Sequence, residues 1–438
     1  MSSFGNSIAE VALRRFSALP AKLKPRQRNN GTFEWVPMSA IVLSQGSHSS
    51  STTLQANHPP LDTSPKSLEQ NNGSLTCVSI ATGCKSLPHS KIPLAHGIVL
   101  HDSHAEVLVL RAFNHFLLSE CHSLLTSPCT GHSSTSILRR RSQDEISNHP
   151  ETRQPFTIRE DIRIHMYCSE APCGDASMEL VMAAQEDATP WPVPQSPTSL
   201  PGRANFSSIG VVRRKPARPD APISLSKSCT DKLSLKECIS ILSSPTALFI
   251  SPENAYISTL TVPTSQSNPT GFSRAFGDKG RMAQVSGHSW KGGYAFRPFI
   301  ILDTDHEFEF SRRNADGNET KLTPSNISAI STPSISESLI NGTRQGRKQF
   351  DPRGASATSK AQLWRLCMQV LDMLLSSDND IVVSDWKSEL EKARKSTYAE
   401  FKDCGVFANR EKVKECVRDE ALKGWVKNGG DEFGFTEN

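Results

Sequence analysis

The sequence predicts an α/β fold in which one mixed sheet is flanked by helices, built as a single domain over residues 1–438. Two observations carry this. Segments rich in β-branched residues alternate with amphipathic helical segments, the order expected when helices layer onto a sheet. The stretches that interrupt the alternation are polar and poor in core-forming residues, so they read as insertions in one fold.

The elements follow in order. Thr76–Thr82 reads as a strand that ends at Gly83. Ala105–Leu118 reads as a helix with a broad apolar face that includes Val107, Leu110, Phe113 and Leu117. Ile162–Tyr167 is a second strand and Asp175–Gln185 a second helix. Ala247–Ser251 is a further short strand candidate, and Tyr256–Val262 reads as another strand or a short helix. Leu363–Leu375 is an amphipathic helix that opens a C-terminal helical part. Four polar stretches separate these elements: Gln45–Gly73, Thr126–Gln154, Glu186–Ser208 and Asn314–Lys360. Each is expected to be a disordered insertion, because each is too polar to bury much area.

Composition narrows the class. Hydrophobic residues make up 36% of the chain, enough for a sizeable core, and the formal charge of +4 permits a polyanionic partner. Met1–Glu10 lacks the charged start and apolar core of a secretory signal. No apolar run approaches the roughly 18 residues that cross a bilayer. The expectation is an intracellular protein of nucleus or cytoplasm, without membrane attachment. Most of its eleven cysteines would then be reduced, leaving a few free to bind metal.

The chemistry lies at two predicted helix starts. His104-Ala105-Glu106 opens one and Pro172-Cys173-Gly174 opens the next. This fits the zinc-deaminase signature, in which His and Cys hold the metal and the Glu two residues after the His moves protons. Helix N-termini favour the thiolate and other negative charge at the metal. The signature normally continues to a second Cys three residues on, but Ala176 stands there. A catalytic zinc needs three protein ligands. The third must come from elsewhere in the chain, and candidates include Cys77, Cys84, Cys168, Cys229 and Cys238. Cys229 stands out because Ser228–Lys232 is a polar turn, whereas the other four lie in apolar segments.

His101–Glu106, Ala171–Asp175 and Ser228–Lys232 together resemble the three motifs of the eukaryotic adenosine deaminases acting on RNA. Leu19–Pro25, Arg213–Asp220, Ser251–Tyr256, Trp290–Tyr294 and Gly424–Asn428 are similar to the fungal tRNA-specific branch. The resemblance implies a cytidine-deaminase-like three-layer sandwich and a Zn²⁺ ion held by His104, Cys173 and Cys229, with Glu106 as the catalytic acid and base. It implies hydrolysis of adenosine to inosine in a tRNA substrate, at position 37 beside the anticodon of an alanine tRNA, with no obligate protein partner. It also implies a buried inositol hexakisphosphate, contacted at Lys232, Ser244, Tyr398, Lys402, Lys412, Trp425 and Asp431. Leu110, Leu235 and Lys236 depart from that pattern by replacing larger or more basic groups. Lys85 beside the site, and the cluster Arg213, Arg214, Lys215 and Arg218, are candidate contacts to the RNA backbone. Zinc chemistry alone leaves a deaminase of duplex RNA or of cytosine open, as well as a non-catalytic zinc-stabilised RNA-binding module. The Glu two residues after the ligand favours catalysis, since a structural site has no use for it.

Overall fold

The computed structural model describes residues 3–26, 32–46, 73–126, 137–184, 200–202, 206–215, 221–314, 321–376 and 384–429. An eight-stranded mixed sheet runs through it. Its strands, numbered along the chain, are β1 (Met38–Gln45), β2 (Leu75–Thr82), β3 (Ile162–Cys168), β4 (Ile257–Pro263), β5 (Ile300–Thr304), β6 (Ile327–Ser331), β7 (Ser336–Ile340) and β8 (Thr343–Arg344). They lie in the order β5-β4-β3-β1-β2-β6-β7-β8. The β3–β4 and β4–β5 pairs are parallel and the others antiparallel.

Strand alternation sends neighbouring residues of β1 to opposite faces. Ala40 and Val42 pack on α1 (Phe4–Ser17) through Ile8, Ala12 and Phe16. Ile41 and Leu43 join the opposite layer, with Leu108, Phe113 and Leu117 of α2 (Ala105–Thr126). Helix α5 (Lys360–Ser376) adds Trp364, Met368 and Leu371 to that layer. The remaining longer helices are α3 (Cys229–Ile239), α4 (Pro269–Phe276), α6 (Ser384–Lys395) and α7 (Ala408–Glu420).

The strands and helices expected near Thr76, Ala105, Ile162, Tyr256 and Leu363 are present with shifted ends. The second helix is shorter than expected, a 3₁₀ turn Asp175–Ser177 followed by Met178–Ala183. Ala247–Ser251 is not a strand of the sheet. Ser244–Ala247 is a helical turn, and Ile250 makes one isolated bridge to Phe156. Two of the polar stretches need correction. Asn314–Lys360 holds β6, β7 and β8, and all of Ile327–Ser331 is buried. Small Ser and Ala residues fit beside β2 there, and the Ala329 amide donates to Thr82 Oγ1 at 3.1 Å. Residues 137–154 of the second stretch carry the strand Leu138–Arg140, paired with Phe156–Ile158, and the capped helix Gln143–Asn148. Arg141 is buried there and donates to the Gln154 carbonyl at 3.1 Å. Most of the first stretch and of Glu186–Ser208 lies outside the described residues.

The end of β1 and the start of β2 are adjacent, with Ser44 opposite Leu75. The chain between them therefore closes a hairpin whose register the two strands already set. Replacing Ser47–Asn71 by a short Gly/Ser link should leave the thermal unfolding midpoint almost unchanged, since loop closure entropy varies only logarithmically with length. Calorimetry of the deletion checks this; loss of soluble, cooperatively unfolding protein is the contrary result.

Candidate active site

Three segments far apart in sequence meet at one point. His104 ends the short strand Asp102–His104, where it stands opposite Cys84. The next residue starts α2, and the Ala105 amide donates to the Gly83 carbonyl at 2.9 Å. Cys173 lies in the loop after β3. Cys229 is the first residue of α3, capped by Ser228, whose Oγ accepts the Asp231 amide at 3.1 Å. The Cys173 and Cys229 sulfurs lie 3.8 and 3.7 Å from His104 Nδ1. The Cys229 amide donates to Cys173 Sγ at 3.4 Å.

Gly174 makes this approach possible. Its φ is +116°, and a Cβ on it would lie 2.3 Å from Ser228 Oγ. Any side chain there would push the two cysteine segments apart and would also suffer the left-handed backbone. Two buried aspartates brace the same segments. Asp175 is bonded to Arg274 Nε at 3.0 Å, and Asp231 to Arg281 at 2.6 Å. Asp231 also accepts the Arg213 amide at 2.9 Å.

Glu106 sits in the first turn of α2 and is 6% exposed. Burial, followed by the charge of Cys173, raises its carboxyl above the ordinary carboxylate range. A carboxyl so placed holds or releases a proton closer to neutral pH than a solvated one does. Asp102, two residues before His104, is also buried. It accepts from Lys215 Nζ at 2.9 and 2.7 Å, from Ser226 Oγ at 2.6 Å and from Lys232 Nζ. Burial opposes its ionisation, yet Lys215 and Lys232 hold it well below the usual carboxylate range. Lys215 Nζ also lies 3.4 Å from Cys229 Sγ. Burial disfavours its charge, but Asp102 and Cys229 together raise it above the ordinary lysine value. One ammonium thus bridges a buried carboxylate and the buried sulfur of Cys229.

The fit to a tetrahedral metal ion is direct. Zinc with Zn–S near 2.3 Å and Zn–N of about 2.0–2.1 Å places its ligand atoms roughly 3.3–3.8 Å apart. The measured separations from His104 fall within that range. His104, Cys173 and Cys229 are the residues that could hold the ion, and one coordination position stays open for water. Of the five cysteines considered for the third ligand, Cys229 is the one that converges with His104 and Cys173 among the described residues. Cys168 instead packs against Ser39 Oγ at 3.3 Å, and Cys77 donates to the Ser79 carbonyl.

Family comparison agrees with this geometry. The family model for the adenosine-deaminase (editase) domain matches residues 79–429. The chain belongs to the adenosine-deaminase (editase) domain family. This editase domain is 32% identical over 437 residues to "tRNA-specific adenosine deaminase 1" of Schizosaccharomyces pombe, covering 99% of this chain and 97% of that one. It is 29% identical over 250 residues to the protein of the same name from Saccharomyces cerevisiae, covering 54% and 53%. It is 29% identical over 127 residues to mouse "Double-stranded RNA-specific editase B2", covering 28% and 15%.

Other expected residues fare differently. Lys85 lies on the short strand that flanks His104, opposite Ser103, and is half-buried. Arg213 and Lys215 are not surface contacts. Arg213 is fully buried and donates from its guanidinium to the Gly202 carbonyl at 3.1 Å and to the Ser208 carbonyl at 2.5 Å, while Lys215 lies behind the site. The sequence offers both as candidate RNA contacts because it does not show that Asp102 and Asp231 face them. Arg214 remains half-exposed, and Arg218 lies outside the described residues.

Lys232 and Trp425 fall in a second, strongly cationic region. Lys227 Nζ and the Arg418 guanidinium lie 5.7 and 5.5 Å from the Trp425 ring centre. Burial and the neighbouring Lys232 push Lys227 down to about 8, and burial with Arg410 nearby pushes Lys414 to about 8. Lys236 is lowered much further, first by burial and then by Arg410 and Lys414. The Nε atoms of Arg410 and Arg418 are buried without a hydrogen-bond partner among the described residues. Lys412 does not line this region. It is exposed on α7, and the residues of that helix turned inward are Arg410, Val413 and Val417. Lys402 packs on the Tyr398 ring at 4.6 Å, Ser244 starts a helical turn, and Asp431 lies outside the described residues.

Buried aspartates were the signal missed in the sequence: Asp102, Asp175 and Asp231 all lie inside the motifs that carry the ligands. If His104, Cys173 and Cys229 form one metal site, Cys229→Ala should lose one equivalent of zinc relative to wild type after a brief wash with a weak chelator. Elemental analysis reads this, and full retention would exclude Cys229 as a ligand.

Proposed function

We propose that the protein converts adenosine to inosine in tRNA by zinc-dependent hydrolysis. The observation that carries this reading is the convergence of His104, Cys173 and Cys229 beside the buried Glu106. The full-length similarity to a protein named for tRNA, against the short match to a duplex-RNA editase, favours tRNA. Within that reading we assign the substrate position to the adenosine beside the anticodon of an alanine tRNA, and the architecture to the cytidine-deaminase-like sandwich. An anticodon loop suits a buried site because its bases are already unpaired, so extruding one costs little.

Zinc, when bound by these three residues, supplies the Lewis acidity that makes water reactive near neutral pH. The chain's own groups do the rest. Glu106 takes a proton from water and delivers it to the purine ring nitrogen as the oxygen adds at C6. It then moves the proton of the new C6 hydroxyl to the amino group, the C6–N bond breaks, and ammonia leaves as C6 becomes a carbonyl. Lys215 neutralises charge on the Cys229 side of the site, and Asp102 keeps Lys215 charged and in place. Lys85 and Arg214 are the candidate contacts to the RNA backbone. Among the described residues no helix is long and apolar enough to cross a membrane.

The cationic region around Trp425 suits a dense polyphosphate. Several buried cations there exceed their carboxylate partners, which is costly unless an anion compensates them. Inositol hexakisphosphate is the ligand proposed, bound by Lys227, Lys232, Lys236, Arg410, Lys414 and Arg418 rather than by Lys412.

Two outcomes are expected. Glu106→Gln should lower inosine formation by at least about 10²–10⁴-fold while retaining zinc and tRNA binding, because the amide cannot shuttle protons; nucleoside analysis of treated tRNA checks it, and a variant with half the wild-type rate would refute the role. The second outcome concerns pH. Lys227 and Lys414 have folded values near 8 against an ordinary 10.5, so between these values the unfolded chain binds more protons. Their contribution to stability therefore rises as pH increases through that window. A bound polyphosphate would hold the protons and flatten the rise. Thermal melts between pH 7.5 and about 10, with and without added inositol hexakisphosphate, should show the slope only without it; identical curves would argue against the ligand.

A further inference from the structure

Two groups of three metal-capable side chains converge among the described residues, and only one is the site described above. The other is His288, Cys416 and Glu420. Cys416 and Glu420 lie four residues apart on α7, so they share one face of the helix. Cys416 Sγ lies 3.2 Å from Glu420 Oε1, and His288 Nε2 lies 3.2 Å from Glu420 Oε2. All three donor atoms lie within 4.8 Å of one another.

His288 comes from the loop after the 3₁₀ turn Arg281–Val285, and its amide donates to the Val285 carbonyl at 3.2 Å. Its ring lies beside Trp290, with centroids 5.6 Å apart, which limits its rotation. Trp290 and Cys416 both pack against the apolar cluster of Met282, Val285, Val413 and Val417. The thiol is thus shielded from below, while solvent reaches His288 and Glu420, whose side chains are 35% and 41% exposed.

We infer that these residues form a second, surface binding site for a divalent cation of borderline softness, zinc being the best match. The donor set of one imidazole, one thiolate and one carboxylate suits that class, and oxygen-seeking calcium or magnesium would reject the thiolate. Tetrahedral zinc places such ligand atoms about 3.3–3.7 Å apart. The two 3.2 Å contacts lie a few tenths of an ångström inside these separations, and no donor pair is farther apart than 4.8 Å, so side-chain rotation alone closes the set onto an ion. Binding releases the thiol proton, and the two negative ligands balance the ion's charge. A water completes the shell on the exposed side. The ion would fasten the loop carrying Trp290–Tyr294 to α7. The far face of that helix carries Arg410, Lys414 and Arg418, so the clip braces the outer wall of the cationic region. This inference does not depend on the deaminase reading.

The test uses the full-length protein and Zn²⁺ alone as the probe. Alkylation of each cysteine is followed by peptide mass spectrometry with and without micromolar zinc, with the half-buried Cys404 as an internal reference. Zinc should slow alkylation of Cys416 roughly tenfold or more, since a coordinated thiolate is withheld from the reagent, and should leave Cys404 unchanged. His288→Ala and the near-isosteric Glu420→Gln should each abolish the protection and remove one zinc equivalent by elemental analysis, with inosine formation intact. The inference is overturned if zinc leaves the Cys416 rate unchanged in the wild type. It is also overturned if protection survives in both variants, or if they bind as much zinc as the wild type.

Discussion

The structure turns on one buried charge, the carboxylate of Asp102 held between Lys215 and Lys232. Both Asp102 and Lys215 are almost wholly excluded from water, so each depends on the opposite charge beside it to stay ionised. Each lysine also ties the carboxylate to a different part of the molecule. Lys215 reaches Cys229, and Lys232 sits on the helix that Cys229 begins. Asp102 itself receives the His104 amide at 3.0 Å. The short strand of His104 and the start of α3 are therefore locked together by electrostatics as well as by packing. Gly174 and Asp231 bring Cys173 into the same arrangement by letting its loop lie against Ser228.

This arrangement sets the chemistry. A metal ligand set drawn from three remote segments works only if each segment is fixed independently, because a loose ligand costs both affinity and geometry. The helices provide the fixing: α2 carries Glu106 away from His104 by half a turn, and α3 presents Cys229 from its first position. Glu106 is kept near the point where a proton must move, and burial raises its affinity for that proton. The cations beyond Lys232 extend the same charge pattern outward. Their excess over carboxylates makes that region poised for an anion, whereas the zinc centre is poised for a cation.

The ligands and Glu106 were legible in the sequence because their spacing is set by short-range geometry: a His and a Glu two residues apart at a helix start, and a Pro-Cys-Gly turn. Cys229 was legible only by its polar setting and the family resemblance, since its partners lie 56 and 125 residues away. The central strand β1 and the first helix α1 went unread. Met38–Ser44 is buried on both faces and so shows no alternation, and it runs into a Ser-rich stretch that masks its end. Strand β6 was taken for insertion because Ser and Ala carry little hydrophobic signal, although they are the sizes that fit between β2 and β7. Arg213 and Lys215 look like RNA contacts in sequence because a run of cations looks alike whether it meets a phosphate backbone or buried aspartates.

The claim that Asp102 and Lys215 form the keystone is tested most directly by a double-mutant cycle on stability. Asp102→Asn and Lys215→Met keep the side-chain volumes similar while removing one charge each. Each single change should cost about 3–5 kcal/mol, because it strips a buried charge of its most buried partner in a dry site. The double variant should cost far less than the sum, since only the partly exposed Lys232 then loses its carboxylate. Denaturant unfolding of the four proteins gives the coupling energy. A value of several kcal/mol is the predicted result; additive effects within about 0.5 kcal/mol would show that the two groups do not depend on each other and would contradict the account.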